Sequence, residues 1–178
     1  MRLRSAAVLF FVLGCAFLFA QSNKATEAQL SGAADSSYVP VHKFDPKRDA
    51  AADIQAAIAE AQRTGKRIIL DVGGDWCSWC HVLDKFFEQH PEIVDLRDKN
   101  FITVAVFYSS EDKNEKVLSH YPKVGEIPYF FILEKDGRLL HSQGIVKVET
   151  GGEPDPEKIK DFLLKWSPLP AENGAKMN

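Results

Sequence analysis

The sequence predicts an α/β domain in which helices cover a central mixed β-sheet. Helix-like and strand-like segments alternate along the middle of the chain, in the order helix, strand, helix, strand, helix, strand, strand, helix. The run Phe101–Tyr108 is apolar on both faces, which is typical of a central strand. Two further strand candidates flank Lys135-Asp136-Gly137, a hairpin turn signal. We therefore expect one sheet that contains both parallel and antiparallel neighbours.

Two Asp-Pro pairs mark expected helix starts, because an aspartate caps free backbone N–H groups and a proline fits the first helical position. The first pair is Asp45-Pro46 and the second is Asp155-Pro156. Gly65 is the expected end of the first helix. Apolar residues recur at helical spacing after each pair, namely Ala50, Ile54, Ala57, Ile58 and Ala61, and later Ile159, Phe162, Leu163 and Trp166.

The remaining elements follow from apolar runs and helix or strand breakers. The run Arg67–Val72 predicts a buried strand, which the residues Gly73-Gly74-Asp75 end. A helix is expected from about Cys77, and Pro91 ends or kinks it. The other expected elements are a short helix at Glu115–His120 and two hairpin strands at Tyr129–Leu133 and Arg138–Val146.

The N-terminal end differs from the domain in composition. Arg2 and Arg4 precede an apolar run from Ala6 to Ala20, which is typical of a secretory signal peptide and shorter than the roughly 20 residues of a spanning helix. An uncleaved anchor and a lipoprotein modified at Cys15 are the alternatives. We expect an exported, extracytoplasmic or periplasmic protein with a signal peptide at 1–20, a polar linker at 21–43, the domain at 44–168 and a disordered tail at 169–178.

Charge and cysteine content narrow the class of function. The net charge of −3 and the lack of a basic run argue against nucleic-acid binding. The chain has three cysteines, of which Cys15 lies in the expected signal peptide. Because Cys77 and Cys80 are separated by only two residues, a disulfide between them closes a very short loop and adds little stability. The pair is therefore better explained by chemistry than by stabilisation of the fold.

The two cysteines lie where a strand gives way to a helix, within the stretch Asp75–His81 (DWCSWCH). Free N–H groups and the dipole at a helix N-terminus favour a thiolate, so Cys77 is the predicted nucleophile. Cys80 returns to the same side of the helix and is predicted to resolve a mixed disulfide formed at Cys77. Asp71 is a candidate base for Cys80, with a pKa raised by desolvation; a residue that caps a turn at the strand end is the alternative.

The stretch Arg67–His81 (RIILDVGGDWCSWCH) resembles the thioredoxin superfamily. It is most similar to the exported thioredoxin-like branch that includes the soluble C-terminal domain of the membrane thiol:disulfide interchange protein. The resemblance covers about Ile54–Trp166 and implies a thioredoxin-like fold. It also implies that Asp71 is the buried carboxylate of the family and that Cys77 and Cys80 form the active pair.

Substrate binding is expected around the cysteine pair. The resemblance implies that Ile127-Pro128 belongs to the cis-proline loop of the family, where the backbone of Ile127 pairs with an extended substrate peptide. A trans proline that opens an edge strand is the alternative. Trp76 and Trp79 are expected to form a partly exposed apolar collar around the active sulfur, with two core aromatics as the alternative.

The sequence departs from thioredoxin at several positions that bear on redox potential and substrate choice. Ser78-Trp79 stands between the cysteines in place of Gly-Pro, and Gly73 replaces a bulky aromatic residue. The predicted strand Phe101–Tyr108 lacks the lysine that thioredoxin keeps near the buried carboxylate, and Tyr129 follows the proline.

Three other functions fit parts of the motif. The segment from Cys77 to His81 matches the c-type haem attachment pattern, although the motif follows a strand and the only methionines are Met1 and Met177. The axial ligand would then come from His42, His90, His120 or His141. A zinc site lacks a second cysteine pair and would have to use Cys77, Cys80, His81 and His90. A docking module that performs no redox chemistry leaves the intact cysteine pair unexplained.

We therefore predict a thiol–disulfide oxidoreductase that acts on protein thiols and disulfides and needs no metal or other cofactor. A reductant direction is favoured because Ser78 and Trp79 offer little to stabilise a thiolate; an oxidase or isomerase is the alternative. A reductant outside the cytoplasm needs an electron donor, and a membrane thiol protein fits that need. We expect a monomer that binds no nucleic acid.

Overall fold

The computed structural model describes residues 38–169, which form a sheet with helices on both faces. In chain order the elements are α1 (Ala50–Thr64), β1 (Arg67–Gly73), α2 (Ser78–Gln89), α3 (Pro91–Asn100), β2 (Phe101–Phe107), α4 (Glu115–Leu118), β3 (Tyr129–Leu133), β4 (Leu139–Gly144), a 3-10 turn (Ile145–Val148), the short strands β5 (Glu149–Thr150) and β6 (Glu153–Pro154), and α5 (Pro156–Trp166).

The main sheet has four strands in the order β2-β1-β3-β4. The central strand β1 runs parallel to β2, with Asp71 beside Ala105, and antiparallel to β3, with Asp71 beside Phe130. The hairpin of β3 and β4 adds a second antiparallel pair. The predicted mixed sheet is therefore confirmed, and its central strand is the one that leads into the cysteine motif.

Side chains of β1 alternate between two apolar layers, as the pleat of a strand requires. Ile68, Leu70 and Val72 pack on the side of α1 and α4. Ile69 packs on the other side, among residues of α2, α3 and α5. Asp71 and Gly73 share the parity of Ile69. They therefore face α2, the helix that carries the cysteines.

Two predicted boundaries differ from the structure. Helix α1 begins at Ala50 with Asp49 as its cap, whose carboxylate accepts from two backbone N–H groups. Asp45-Pro46 instead forms a turn, in which the Asp45 carboxylate accepts from the N–H of Lys47 at 2.8 Å. The second hairpin strand ends at Gly144, because the chain coils into the 3-10 turn that follows. Asp155 does cap α5 as predicted.

The residues that the structure describes include some before the predicted domain start. Val41 is buried and bridges to Val104, and its carbonyl oxygen accepts from the N–H of Ala105 at 2.8 Å. The proposed signal peptide, the linker up to residue 37 and the tail from residue 170 lie outside the described residues, so the domain limits stay predictions. Within residues 38–169, no helix combines the length and apolar character needed to cross a membrane.

Candidate active site

Cys77 and Cys80 form a disulfide at the start of α2, with their Cα atoms 5.3 Å apart. Cys77 is the N-cap of this helix, and its Sγ accepts from the backbone N–H of Cys80 at 3.1 Å. Both residues are buried, with 5% and 3% of their surface exposed. A donor aimed at Sγ of Cys77 and a position at the helix N-terminus both favour negative charge on that sulfur.

Two glycines allow the chain to turn from β1 into α2. A Cβ at Gly73 would lie 2.7 Å from Sγ of Cys80, and a Cβ at Gly74 would lie 2.5 Å from Nε1 of Trp76. The carbonyl of Gly74 accepts from the N–H of Cys77 at 3.0 Å, which closes the turn before the helix. Neither glycine has a positive φ. A side chain at Gly73 would collide with Cys80, and one at Gly74 would collide with Trp76, so crowding and not backbone conformation accounts for both glycines.

Asp71 lies on the α2 side of β1, two residues before Gly73. Two residues advance a strand by about 7 Å, so its carboxylate lies below Cys80 rather than in contact with it. Burial raises the pKa of Asp71 to about 7; the negative charge of Asp84 adds to this rise and the positive charge of Arg97 opposes it. Within the described residues, Oδ1 of Asp71 is buried without a hydrogen-bond partner.

An open groove of about 540 Å³ borders Asp71 on the side of α3. It is mixed in charge, and its lining includes Asp84 and Glu88 of α2, Arg97 of α3, and His42 and Lys43 of the segment before α1. Thr103 also lines the groove, and its Oγ1 is a second buried oxygen for which the described residues provide no partner. The carboxylate of Asp71 is therefore reachable by solvent along a path separate from the disulfide.

Sequence analysis did not identify Asp84 and Arg97 as part of this site. Asp84 follows Cys80 by four residues on α2, a spacing that places both on one helix face and that was available as a signal. Burial raises the pKa of Asp84 as well, while His81 lowers it. Arg97 had no sequence signal, because only the packing of α3 against the sheet brings it near Asp71. Arg97 places a positive charge near Asp71. Thioredoxin keeps a lysine near this carboxylate, on the strand that corresponds to β2, and β2 of this chain lacks it.

The two tryptophans differ in exposure. Trp76 is 56% exposed, and its Nε1 donates to the carbonyl of Tyr108 at 2.7 Å. Trp79 is half-buried and packs against the apolar layer that includes Leu83 and Phe86. Trp76 is therefore the exposed apolar surface beside the disulfide, and Trp79 joins the motif to the core.

The Ile127–Pro128 peptide bond is cis, as the resemblance implied. Pro128 is buried, Ile127 is half-buried, and the carbonyl of Pro128 accepts from the N–H of Ile145 at 3.2 Å. The next residue, Tyr129, pairs with Val72 at the carboxyl end of β1. The proline loop and the disulfide therefore lie at the same end of the central strand.

Three of the histidines considered for the rival functions make contacts with other groups of the protein. Nε2 of His81 lies 2.7 Å from the carbonyl oxygen of Asp75. The His90 ring lies against Phe86, with ring centroids 4.3 Å apart, and the His141 ring stacks on Trp166 at 4.5 Å. The cysteine sulfurs are bonded to each other. These contacts account for the positions of His81, His90 and His141 in this structure.

Known proteins resemble this chain in sequence and in fold. A family model described as thioredoxin-like matches residues 49–135. The chain is 30% identical over 117 residues to the thiol:disulfide interchange protein DsbD of Pseudomonas fluorescens, a match over 65% of this chain and 18% of that protein. It is 27% identical over 121 residues to the thiol-disulfide oxidoreductase ResA of Bacillus thuringiensis, which covers 58% of this chain and 65% of that protein.

A solved structure agrees with the sequence relatives. The structure of a disulphide isomerase from Xylella fastidiosa superposes with a TM-score of 0.60 at 25% identity, over 73% of this chain and 98% of that chain. Because the family model, the fold and the place of the disulfide agree, the chain belongs to the thioredoxin superfamily through a thioredoxin-like domain that includes residues 49–135.

Proposed function

We propose that this protein reduces protein disulfides outside the cytoplasm through Cys77 and Cys80. The observation that carries the proposal is the position of the two cysteines: Cys77 caps α2 and Cys80 follows one turn later, joined to it in a disulfide. The relatives DsbD and ResA are named a thiol:disulfide interchange protein and a thiol-disulfide oxidoreductase, which supports thiol–disulfide chemistry at this pair. A buried acid on the same side of the sheet adds a proton acceptor to the pair.

The proposed reaction starts from the dithiol form. The Cys77 thiolate attacks one sulfur of a substrate disulfide; a mixed disulfide forms and the other substrate sulfur leaves as a thiolate that takes up a proton. Cys80 then loses its proton toward Asp71, through water in the space between them, and attacks Sγ of Cys77. The substrate leaves as a dithiol with two electrons gained, and the protein holds the Cys77–Cys80 disulfide.

Substrate is proposed to dock between Trp76 and the proline loop. The exposed Trp76 ring provides an apolar surface beside the disulfide. The backbone at Ile127 and Pro128 lies at the same end of β1 and suits the addition of an extended peptide. Trp79 would contribute its exposed edge only, since it packs on the core.

The reductant direction is supported by the charges below the cysteines. Asp71 and Asp84 both lie on the α2 side of the sheet, and a nearby negative charge disfavours the thiolate that strong oxidants stabilise. Return to the dithiol form needs an electron donor of the dithiol class, for which a membrane thiol protein is our proposal. The basic and apolar N-terminal residues support export or membrane attachment of such a protein.

The reduction potential tests this direction. Equilibration of the purified protein with glutathione or dithiothreitol, read by alkylation and mass spectrometry, is expected to give a potential nearer to the roughly −270 mV of thioredoxin than to the roughly −120 mV of a strong oxidant. An isomerase or oxidase is the second candidate, favoured by the similarity to the Xylella protein. A potential near roughly −120 mV would favour that candidate over a reductant.

The proposed reaction requires no cofactor. Protein purified without added metal or haem, and dialysed against a chelator, is expected to reduce a model disulfide at an unchanged rate. The absorbance spectrum of the denatured protein is the second measurement, because a covalently attached haem keeps its Soret band after unfolding. Such a band would favour attachment through Cys77 and Cys80 and would contradict the proposal.

A further inference from the structure

The segment before α1 places an aromatic side chain, Phe44, close to the redox centre. Val41 fixes this segment to the edge of the sheet through its bridge to Val104 and its bond to the N–H of Ala105. Three residues later, Phe44 reaches the carboxyl end of β1 and packs against the α1 side of the core. Two intervening residues, His42 and Lys43, line the groove that leads to Asp71. The segment thus lies beside both the groove at Asp71 and the end of β1 that leads to the cysteines.

Phe44 and Cys80 share the space that Gly73 leaves open. The position that a Cβ would take at Gly73 lies 2.7 Å from Cζ of Phe44 and 2.7 Å from Sγ of Cys80. Cζ of Phe44 and Sγ of Cys80 are therefore at most twice 2.7 Å apart. Contacts between a sulfur and an aromatic ring are favourable at about 5 Å. Because Gly73 has no positive φ, its backbone does not require glycine. The lack of a side chain there accommodates the Phe44 ring and the Cys80 sulfur.

We propose that Phe44 is a positioning residue for Cys80: its ring, seated on Gly73, holds the sulfur of the second cysteine against the first and away from water. This inference rests on the proposed function in treating Cys80 as the resolving thiol. An apolar ring beside a thiol disfavours its ionised form, so Cys80 remains protonated while Cys77 reacts. The aromatic residue that shields Cys80 thus comes from the segment before α1. Thioredoxin has a bulky aromatic residue at the position of Gly73 in β1, where this chain has no side chain.

Alkylation of Cys80 in the reduced protein measures this shielding. The test uses the full chain with Cys15→Ser and Cys77→Ser, so that Cys80 is its only cysteine. Addition of Phe44→Ala is expected to speed the reaction of Cys80 with iodoacetamide about tenfold at pH 7, because the sulfur becomes hydrated and ionises more readily. Phe44→Leu keeps apolar volume and is expected to give about a threefold increase. Val39→Ala is the matched control, since Val39 is in the same segment and 76% exposed.

A second variant separates shielding from a general loss of structure. Gly73→Ala in the Phe44→Ala chain places a methyl group beside Cys80, at a position 2.7 Å from the present place of Sγ, so the sulfur must shift slightly to make room. Because the methyl group then covers the sulfur in place of the ring, the alkylation of Cys80 is expected to slow back toward the parental rate. The same substitution with Phe44 present collides with the ring, so it is expected to lower the urea midpoint more there than in the Phe44→Ala chain. Circular dichroism checks that each variant is folded.

The proposal is overturned if folded Phe44→Ala reacts within about twofold of the parent, or if Val39→Ala speeds the reaction as much. Should Phe44→Ala not fold, Phe44→Leu decides, and a parental rate in that variant overturns the proposal. These alkylation rates do not depend on which cysteine attacks substrate. Failure of the assigned cysteine roles would instead appear in the trapping of mixed disulfides, which is a separate experiment.

Discussion

A Cys80→Ser variant is expected to accumulate mixed disulfides with its substrates, while a Cys77→Ser variant accumulates none. Cys77 sits at the N-cap of α2 and its Sγ accepts the N–H of Cys80, so it is the sulfur better suited to carry negative charge. Without Cys80 the first attack still occurs, but no neighbouring thiol releases the substrate. Because intramolecular resolution is lost, multiple-turnover reduction is expected to fall by at least about a thousandfold in either variant.

Non-reducing gels and mass spectrometry of the reduced variants, mixed with a disulfide-containing model protein, distinguish the two outcomes. Ser78→Ala is the matched control, because it lies between the cysteines and leaves both thiols in place. It should turn over without trapping. Trapping by Cys77→Ser, or faster alkylation of Cys80 than of Cys77 in the reduced two-cysteine protein, would reverse the assigned roles.

Local signals were enough to predict most of the fold. The apolar run of β1, the hairpin turn at residues 135–137 and the cap at Asp155 are properties of neighbouring residues, and all three appear in the structure. The start of α1 was wrong because two aspartates, Asp45 and Asp49, both suit a cap. The choice depends on tertiary contacts: the chain must first carry Phe44 onto Gly73, and the helix begins only after that turn.

The residues of the site likewise fall into those that local sequence predicts and those that depend on tertiary packing. The two cysteines, Asp71 and the cis proline follow from a compact motif and a family resemblance. Arg97 and Phe44 come from elements far along the chain, and Asp84 has the spacing signal only once its helix face is known to meet the sheet. Each of these three depends on how α2, α3 and the first segment pack around β1. A motif alone therefore predicts the chemistry of the cysteines better than the charges and rings that tune it.

Asp71→Asn is expected to slow disulfide turnover and to make the protein more stable at alkaline pH. Burial, with Asp84 adding to its effect, raises the pKa of Asp71 from its ordinary value of 3.8 to about 7. Loss of the base that takes the proton of Cys80 is expected to slow substrate release about a hundredfold. Loss of a buried charge relieves a penalty in the folded state, because asparagine stays neutral at every pH of the experiment.

The sign of the stability change follows from proton binding. Between pH 3.8 and about 7 the folded protein keeps the Asp71 proton and the unfolded chain releases it, so the free energy of unfolding falls as pH rises through this window. At about 1.4 kcal/mol for each pKa unit, and with allowance for the groove that hydrates part of the side chain, the loss is roughly 2–4 kcal/mol by pH 8. In Asp71→Asn this loss is absent. Urea unfolding of the disulfide form at a series of pH values measures it.

Asp84→Asn and Glu111→Gln complete the test. Removal of the Asp84 charge is expected to lower the pKa of Asp71, which moves the pH midpoint of both stability and substrate release to lower pH without abolishing either. Glu111 is an exposed acid and is not among the charges that act on the pKa of Asp71, so it should change neither midpoint. A pH profile for substrate release that is identical in wild type and Asp71→Asn would show that Asp71 does not accept the proton of Cys80. Equal stability of wild type and Asp71→Asn at pH 8 would show that the buried carboxylate is not ionised there. The rate measurement and the stability measurement together therefore distinguish a catalytic base from a neutral acid in the core.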